Sequence, residues 1–158
     1  MSEWVEILSR LGAAALIGAV IGLNRHLRGK SAGLRTQSLV ACGAAALVLA
    51  ALHAAGGTSH VDAMSRVIQG IMTGVGFIGA GVIVRTQASE KVHGLTTAAA
   101  VWMTAALGAL CGTGEWKIIT TASLIVGAVL LVGGPLERWC EAALGHDHPP
   151  RSGSAHSG

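Results

Sequence analysis

Runs without a charged residue divide the chain into five apolar segments. Four of these runs are close to the roughly 20 residues that an α-helix needs to cross a bilayer. The first is weaker, because its uncharged stretch 11–24 must be extended back over Glu6 and Arg10. Since these two lie four positions apart, they are expected to pair on one helix face. The pattern predicts spanning helices at about 4–24, 36–56, 66–84, 95–112 and 117–137.

Composition favours a membrane protein over a water-soluble one. Only 12% of the 158 residues are charged, whereas soluble domains average about 25%. Glycine occurs 23 times, and small side chains allow transmembrane helices to approach closely. We therefore predict an all-α polytopic helical bundle, with a transmembrane domain over 1–140 and a disordered tail over 141–158. The three cysteines have neither paired spacing nor a nearby ligand cluster, so neither a disulfide framework nor a zinc site is indicated. No metal and no cofactor are expected.

The positions of Lys and Arg predict the orientation of the helices. Eight of them fall on one side of the membrane, in the loops 24–35 and 85–94 and in the tail, and three fall on the other side. Short loops rich in Lys and Arg stay on the cytoplasmic side. We expect the N-terminus outside and the C-terminus in the cytoplasm. Because topology accounts for the positive charge, nucleic acid is not expected as a partner.

A shift of 61 residues aligns the first predicted hairpin with the second without a gap. Ile17-Gly18-Ala19 meets Ile78-Gly79-Ala80, and Gly33-Leu34 meets Gly94-Leu95. Each unit is a helix, a basic loop and a returning helix, so the two hairpins would be related by an axis along the membrane normal. The sequence therefore predicts two parallel-related hairpins and one additional helix, although chance matches among Ala and Gly are the alternative.

Glycines of the third helix predict helix packing rather than nucleotide binding. Residues 74–79 spell GVGFIG, but the dinucleotide fingerprint requires a strand-to-helix turn, and this run is helical. At 100° per residue, one group of glycines falls within about 40° and a second lies opposite. Two small-residue faces should contact other helices, unless the glycines break the helix and expose carbonyls to an ion. The candidate packing residues are Gly18, Gly22, Gly70, Gly74, Gly76, Gly79 and Gly81.

The cytoplasmic face carries the candidate binding residues. The second and fourth helices begin after Gly33 and Gly94, and helix N-termini present free N–H groups with partial positive charge. Together with the basic loops, they could hold a phosphate, a lipid headgroup or an acidic partner, unless the charges only set the topology. The candidate residues are Asn24, Arg25, Arg35, Thr36, Arg85, Thr96 and Thr97.

Other chemistry is less favoured. Every acidic residue lies at a helix end, in a loop or in the tail, which disfavours a magnesium channel. No nucleophile with a base and an orienting group is recognisable, so an enzyme is not expected. Two hypotheses remain: a regulator that acts through helix contacts with another membrane protein, and a transporter or channel between the hairpins. We also expect a homo-oligomer, most simply a dimer.

Four segments resemble the MgtC/SapB family of bacterial membrane proteins. They are GAVIGLNR at 18–25, GLRT at 33–36, the glycine-rich run 74–83, and GLTTAA at 94–99 with Trp102. The resemblance implies an inner-membrane protein linked to survival in low magnesium and to virulence. It also implies restraint of the F-type ATP synthase rather than magnesium transport. Asn24 departs from the family pattern, in which this position is commonly acidic.

Overall fold

Each apolar segment forms an α-helix. The computed structural model describes residues 2–54, 60–85 and 94–144. All five helices in this part of the chain are long and apolar enough to cross a membrane. The predicted all-α polytopic bundle is therefore confirmed. The helices are α1 (Glu3–Leu27), α2 (Leu34–Ala54), α3 (His60–Arg85), α4 (Leu95–Thr113) and α5 (Trp116–Ala143).

The observed helices differ from the predicted ones mainly at their polar ends. α3 begins at His60 rather than near 66, and α5 continues to Ala143 rather than ending near 137. Hydropathy marks only the apolar part of a helix, whereas its backbone hydrogen bonds continue into polar turns. Residues 141–143, predicted within the tail, are therefore helical. The remainder of the predicted tail, 145–158, lies outside the described residues.

α4 is the central helix of the bundle. It packs against α1, α2, α3 and α5. In the most apolar stretch of α4, 56% of the residues are buried, compared with 6% in the corresponding stretch of α5. The core around α4 consists mostly of small and β-branched side chains, which let the helices approach closely. One cluster contains Ala44, Val48, Ile71, Val75, Val101, Ala105 and Ala109; the other contains Ala14, Ala41, Ala45, Cys111 and Ile119.

Glycines bring α1 and α4 into backbone contact with α2. A Cβ atom on Gly18 of α1 would lie 2.5 Å from the carbonyl oxygen of Gln37. A Cβ atom on Gly112 of α4 would lie 2.7 Å from the Cβ of Val48. Real Cβ atoms do not make such contacts, so only glycine fits at these positions. α2 is therefore clamped between α1 and α4.

The end of the bundle opposite the basic loops is closed by Arg10. Its guanidinium forms the predicted ion pair with Glu6, so that prediction is confirmed. Arg10 Nη1 also donates a 2.7 Å hydrogen bond to the carbonyl of Gly112 in the last turn of α4. The last carbonyls of a helix lack intrahelical donors and carry partial negative charge. Arg10 therefore fastens α1 to the end of α4.

Candidate functional site

Positive charges gather where α1 ends and α2 begins. α1 ends at Leu27, and a turn with Gly29 at φ 63° leads to α2. Gly22 packs against the Leu34 backbone, so this turn lies close to α1. We call this end of the bundle the basic end. A cavity of about 610 Å³, the basic cavity, lies there and is lined by Arg25, Arg28, Lys30, Thr96, Val129, Leu130, Gly133 and Gly134.

Arg25 is the buried cation of the basic cavity. Its side chain is only 4% exposed, and its Nη2 donates a 2.5 Å hydrogen bond to the hydroxyl of Thr97 on α4. Its Nε is buried without a hydrogen-bond partner among the described residues. A hydroxyl is neutral and cannot balance the guanidinium charge. Arg25 therefore joins α1 to α4, and no described side chain balances its charge at the cavity wall.

α5 supplies the apolar wall of the basic cavity and is linked to it through Arg28. Arg28 Nη2 donates a 3.1 Å hydrogen bond to the carbonyl of Leu131. Pro135, four residues later and inside α5, has no N–H to offer that carbonyl. A Cβ atom on Gly134 would lie 2.9 Å from Arg28 Nη1, so the guanidinium rests directly on the helix backbone.

The structure brings together some of the predicted binding residues and separates others. Arg25 and Thr97 are bonded, and Thr96 lines the same cavity. Asn24 is half-buried, and its Oδ1 has no partner in the described part of the chain. Arg35 and Thr36 are exposed and do not line the cavity. The side chain of Arg85 lies outside the described residues.

Several residues of the basic cavity were not among the predicted binding residues. Arg28 and Lys30 were predicted only as part of the basic loop 24–35, and the α5 wall at Val129, Leu130, Gly133 and Gly134 was not anticipated. Pro135 is the one signal in α5 that could have indicated a contact, because it leaves a carbonyl free four residues earlier.

The predicted glycine faces of α3 are largely open in this chain. α3 is continuous from His60 to Arg85, so the glycines do not break the helix. A Cβ atom added at Gly79 would lie 3.5 Å from the Cβ of Ala98 on α4, which is an ordinary packing contact. Phe77 is 84% exposed and lies on the same side as three of the other glycines. Added Cβ atoms would meet no described atom within 4 Å at Gly70, Gly74, Gly76 and Gly81.

Two buried polar side chains lie between α2 and α4. Gln37 and Thr104 are both 0% exposed, and neither has a side-chain hydrogen-bond partner among the described residues. Ala41 contacts Gly108, and each of the two polar residues precedes one of this pair by a single helical turn. The amide and the hydroxyl therefore lie at the same level of the α2–α4 contact.

The fold defines a class of protein. The described part of the chain has five helices able to span a membrane, four of them packed around the buried α4, and a basic cavity at one end, which makes this a multi-pass membrane protein. The MgtC family model matches residues 11–139, and the chain belongs to that family. No solved structure matches it.

Three relatives illustrate the match. SrpB of Synechococcus elongatus is 47% identical over 124 residues, which cover 73% of this chain and 68% of SrpB. MgtC of Salmonella typhimurium is 44% identical over 114 residues, covering 72% of this chain and 46% of MgtC. YhiD of Escherichia coli, named as a proposed magnesium transporter, is 39% identical over 132 residues, which cover 80% of this chain and 60% of YhiD. The chain thus spans about half the length of Salmonella MgtC.

Proposed function

We propose that this protein is a non-enzymatic membrane regulator that binds another membrane protein through the open face of α3. The observation that carries the proposal is the exposed side of α3 around Gly74, where Phe77 lies beside glycines whose added Cβ atoms would meet no described atom within 4 Å. In a bilayer, small residues admit a partner helix to close approach, and an aromatic side chain can fill a gap on its surface.

Packing elsewhere in the bundle supports this assignment. Gly18 and Gly22 of α1 and Gly108 and Gly112 of α4 pack against α2, whereas four of the five candidate glycines of α3, all but Gly79, meet no described atom within 4 Å of an added Cβ. The family resemblance makes the F-type ATP synthase the first partner to test. A role in low-magnesium adaptation and virulence would then follow from restraint of that enzyme, rather than from catalysis or ion transport by this chain.

The test is ATP synthesis by purified F-type ATP synthase, reconstituted with this protein in liposomes under an imposed proton gradient. We expect the wild-type chain to slow synthesis and Gly74→Leu to relieve the effect, because a Leu side chain obstructs the open face. Gly43→Leu is the matched control: Gly43 is also exposed, on α2, with no described atom within 4 Å of an added Cβ. Equal loss with both variants, or no slowing by the wild type, would rule out this proposal.

Transport is the second candidate function. The wholly buried Gln37 amide and Thr104 hydroxyl have no hydrogen-bond partner in the described part of the chain, so a solute or water could bind to them, and YhiD carries a transporter's name. In liposomes without ATP synthase, a transporter would move magnesium, protons or potassium under an imposed potential. Replacing both groups, with Gln37→Met and Thr104→Val, should then abolish that flux. Flux that persists in the double variant would exclude this route through the bundle.

The hairpin repeat has support in the packing. Gly18 packs on Gln37 in the first hairpin and Gly79 on Ala98 in the second, and both pairs are related by the same shift of 61 residues. We propose that the two hairpins are a duplicated unit. A solved structure in which they superpose after a rotation about the membrane normal would establish this proposal; an inverted relation would contradict it.

We also propose an inner-membrane location, with the basic end in the cytoplasm, and a dimer through the open face of α3 when no other membrane protein occupies that face. Arg25, Arg28, Lys30 and Arg35 at one end favour this orientation, and an aromatic side chain beside glycines can pack against its own copy. Labelling of single cysteines in intact cells tests the orientation. The molar mass in detergent, compared between wild type and Gly74→Leu, tests the dimer.

A further inference from the structure

We propose that the basic cavity binds a phosphate group, and that its occupant is the headgroup of an anionic phospholipid. The cavity has about 610 Å³, and its polar lining consists of Arg25, Arg28, Lys30 and Thr96. This proposal does not depend on the α3 face, which carries the regulatory proposal.

The buried charge of Arg25 calls for an anion. Only 4% of this side chain is exposed, its described acceptor is the neutral Thr97 hydroxyl, and its Nε has no partner among the described residues. A buried cation that is neither paired nor fully hydrogen-bonded is costly. A phosphate oxygen in the cavity could accept the free N–H and compensate the charge.

The described carboxylates cannot serve this purpose. Only four acidic side chains are described, and all belong to the opposite end of the bundle, either at the starts of α1 and α3 or between α4 and α5. They are Glu3, Glu6, Asp62 and Glu115. Among the described side chains, the positive charge of the basic cavity is therefore not neutralised within the chain.

The other wall of the cavity favours a lipid over a free ion. Val129 and Leu130 of α5 offer apolar surface, and Gly133 and Gly134 leave room beside them. Arg28 and Lys30 are exposed at the rim, at a depth suited to the headgroup layer. A lipid can place its phosphate against the cations while an acyl chain follows α5, whereas inorganic phosphate would use only the polar half.

The experiment measures binding of short-chain lipids to the full-length purified chain in a neutral detergent. Dioctanoyl phosphatidylglycerol is the probe, dioctanoyl phosphatidylcholine is the control of equal chain length, and inorganic phosphate tests the anion alone. We expect phosphatidylglycerol to bind at least tenfold more tightly than phosphatidylcholine. Phosphate that competes only weakly would identify the lipid; phosphate that binds as tightly as phosphatidylglycerol would keep the anion site but overturn the lipid assignment.

Charge variants test whether the cavity is the site. Arg28→Gln and Lys30→Gln should each weaken phosphatidylglycerol binding about fivefold, the effect of one basic residue near a lipid surface. Arg35→Gln is the matched control, because Arg35 is an exposed cation at the same end that does not line the cavity. Both changes in the cavity lie on exposed side chains, so the test does not depend on Arg25 variants that fail to fold.

A variant without any charge change tests the cavity shape. An added Cβ at Gly133 would meet no described atom within 4 Å, so Gly133→Leu should fill the cavity without disturbing the bundle. It should reduce phosphatidylglycerol binding more than tenfold. Gly127→Leu, at an equally open position on α5 that does not line the cavity, should leave binding unchanged. Equal binding of the two lipids, equal loss with Arg35→Gln, or full binding by Gly133→Leu would each overturn the proposal.

Discussion

Arg28 donates a 3.1 Å hydrogen bond to the carbonyl of Leu131, the carbonyl that Pro135 leaves without its usual helical donor. Arg28 and Leu131 are 103 positions apart in the chain. An α-helical carbonyl normally accepts from the N–H four residues later, and proline has none. In a membrane, an unpaired carbonyl is costly, so Arg28 satisfies a group that α5 itself cannot. The bond also ties the loosely packed α5 to the end of α1.

The first prediction is an energetic coupling between Arg28 and Pro135. Arg28→Ala should lower the free energy of unfolding by about 1 kcal/mol, because it leaves the Leu131 carbonyl unpaired. In a Pro135→Ala background the restored N–H can bond that carbonyl, so the same change should cost much less. The double-mutant cycle is measured by unfolding in detergent. Equal costs in both backgrounds would contradict the coupling.

The second prediction contrasts two glycines that look alike in the sequence. An added Cβ at Gly108 would collide with the Ala41 backbone, whereas one at Gly74 would meet open space. Gly108→Ala should therefore lower the free energy of unfolding by about 1–3 kcal/mol or more through overpacking. Gly74→Ala should leave it unchanged or raise it by up to about 1 kcal/mol, because alanine is the better helix former. Unfolding of both variants in detergent is the measurement.

The exposed Gly43 provides the control for this comparison, and Gly43→Ala should behave like Gly74→Ala. If Gly74→Ala were as damaging as Gly108→Ala, α3 would be packed on that face in the purified protein. Such a result, obtained together with a dimeric mass, would place the second copy on α3.

The number of helices was predictable because a bilayer imposes length and polarity on each span. The weakly apolar first helix was also predicted correctly. Its two charged residues, Glu6 and Arg10, lie one helical turn apart and form an ion pair, so they do not interrupt the helix. The packing order was not predictable in the same way. Lipid is as apolar as a helix contact, so hydropathy does not distinguish the buried α4 from the exposed α5.

The site residues were likewise predictable only where the signal is local in the sequence. Arg25 and Thr97 were candidates because charge and helix starts are visible in a sequence, and the structure joins them. Gly108 and Gly112 were not candidates, although both pack directly on α2, because glycine spacing alone does not say which face meets a neighbour. The α5 wall depends on a contact between distant parts of the chain, which local patterns do not contain.

The third prediction separates two threonines at equivalent places in the proposed repeat. Thr97 is buried and accepts from Arg25, whereas Thr36 is exposed. Thr97→Val should lower the free energy of unfolding by about 1.5–3 kcal/mol, the cost of losing a hydrogen bond to a charged group. Thr36→Val should change it by no more than about 0.5 kcal/mol. Comparable effects in detergent unfolding would show that Arg25 does not depend on the Thr97 hydroxyl.

The fourth prediction concerns Arg10, at the end of the bundle opposite the basic cavity. Its two partners are expected to contribute unequally to the free energy of unfolding. Arg10 forms an ion pair with Glu6, whose carboxylate is exposed, and such pairs contribute about 1 kcal/mol or less. Its 2.7 Å bond to the Gly112 carbonyl is partly buried and joins two helices. Glu6→Gln should therefore cost less than about 1 kcal/mol, while Arg10→Met should cost about 1.5–3 kcal/mol.

Salt separates these two contributions of Arg10 further. Exposed ion pairs are screened by added salt, whereas a partly buried bond to a carbonyl is screened much less. Raising the salt concentration should therefore reduce the small effect of Glu6→Gln and leave most of the effect of Arg10→Met. If both effects vanished together, the ion pair alone would account for Arg10, and the closure of α1 onto the end of α4 would contribute little to stability.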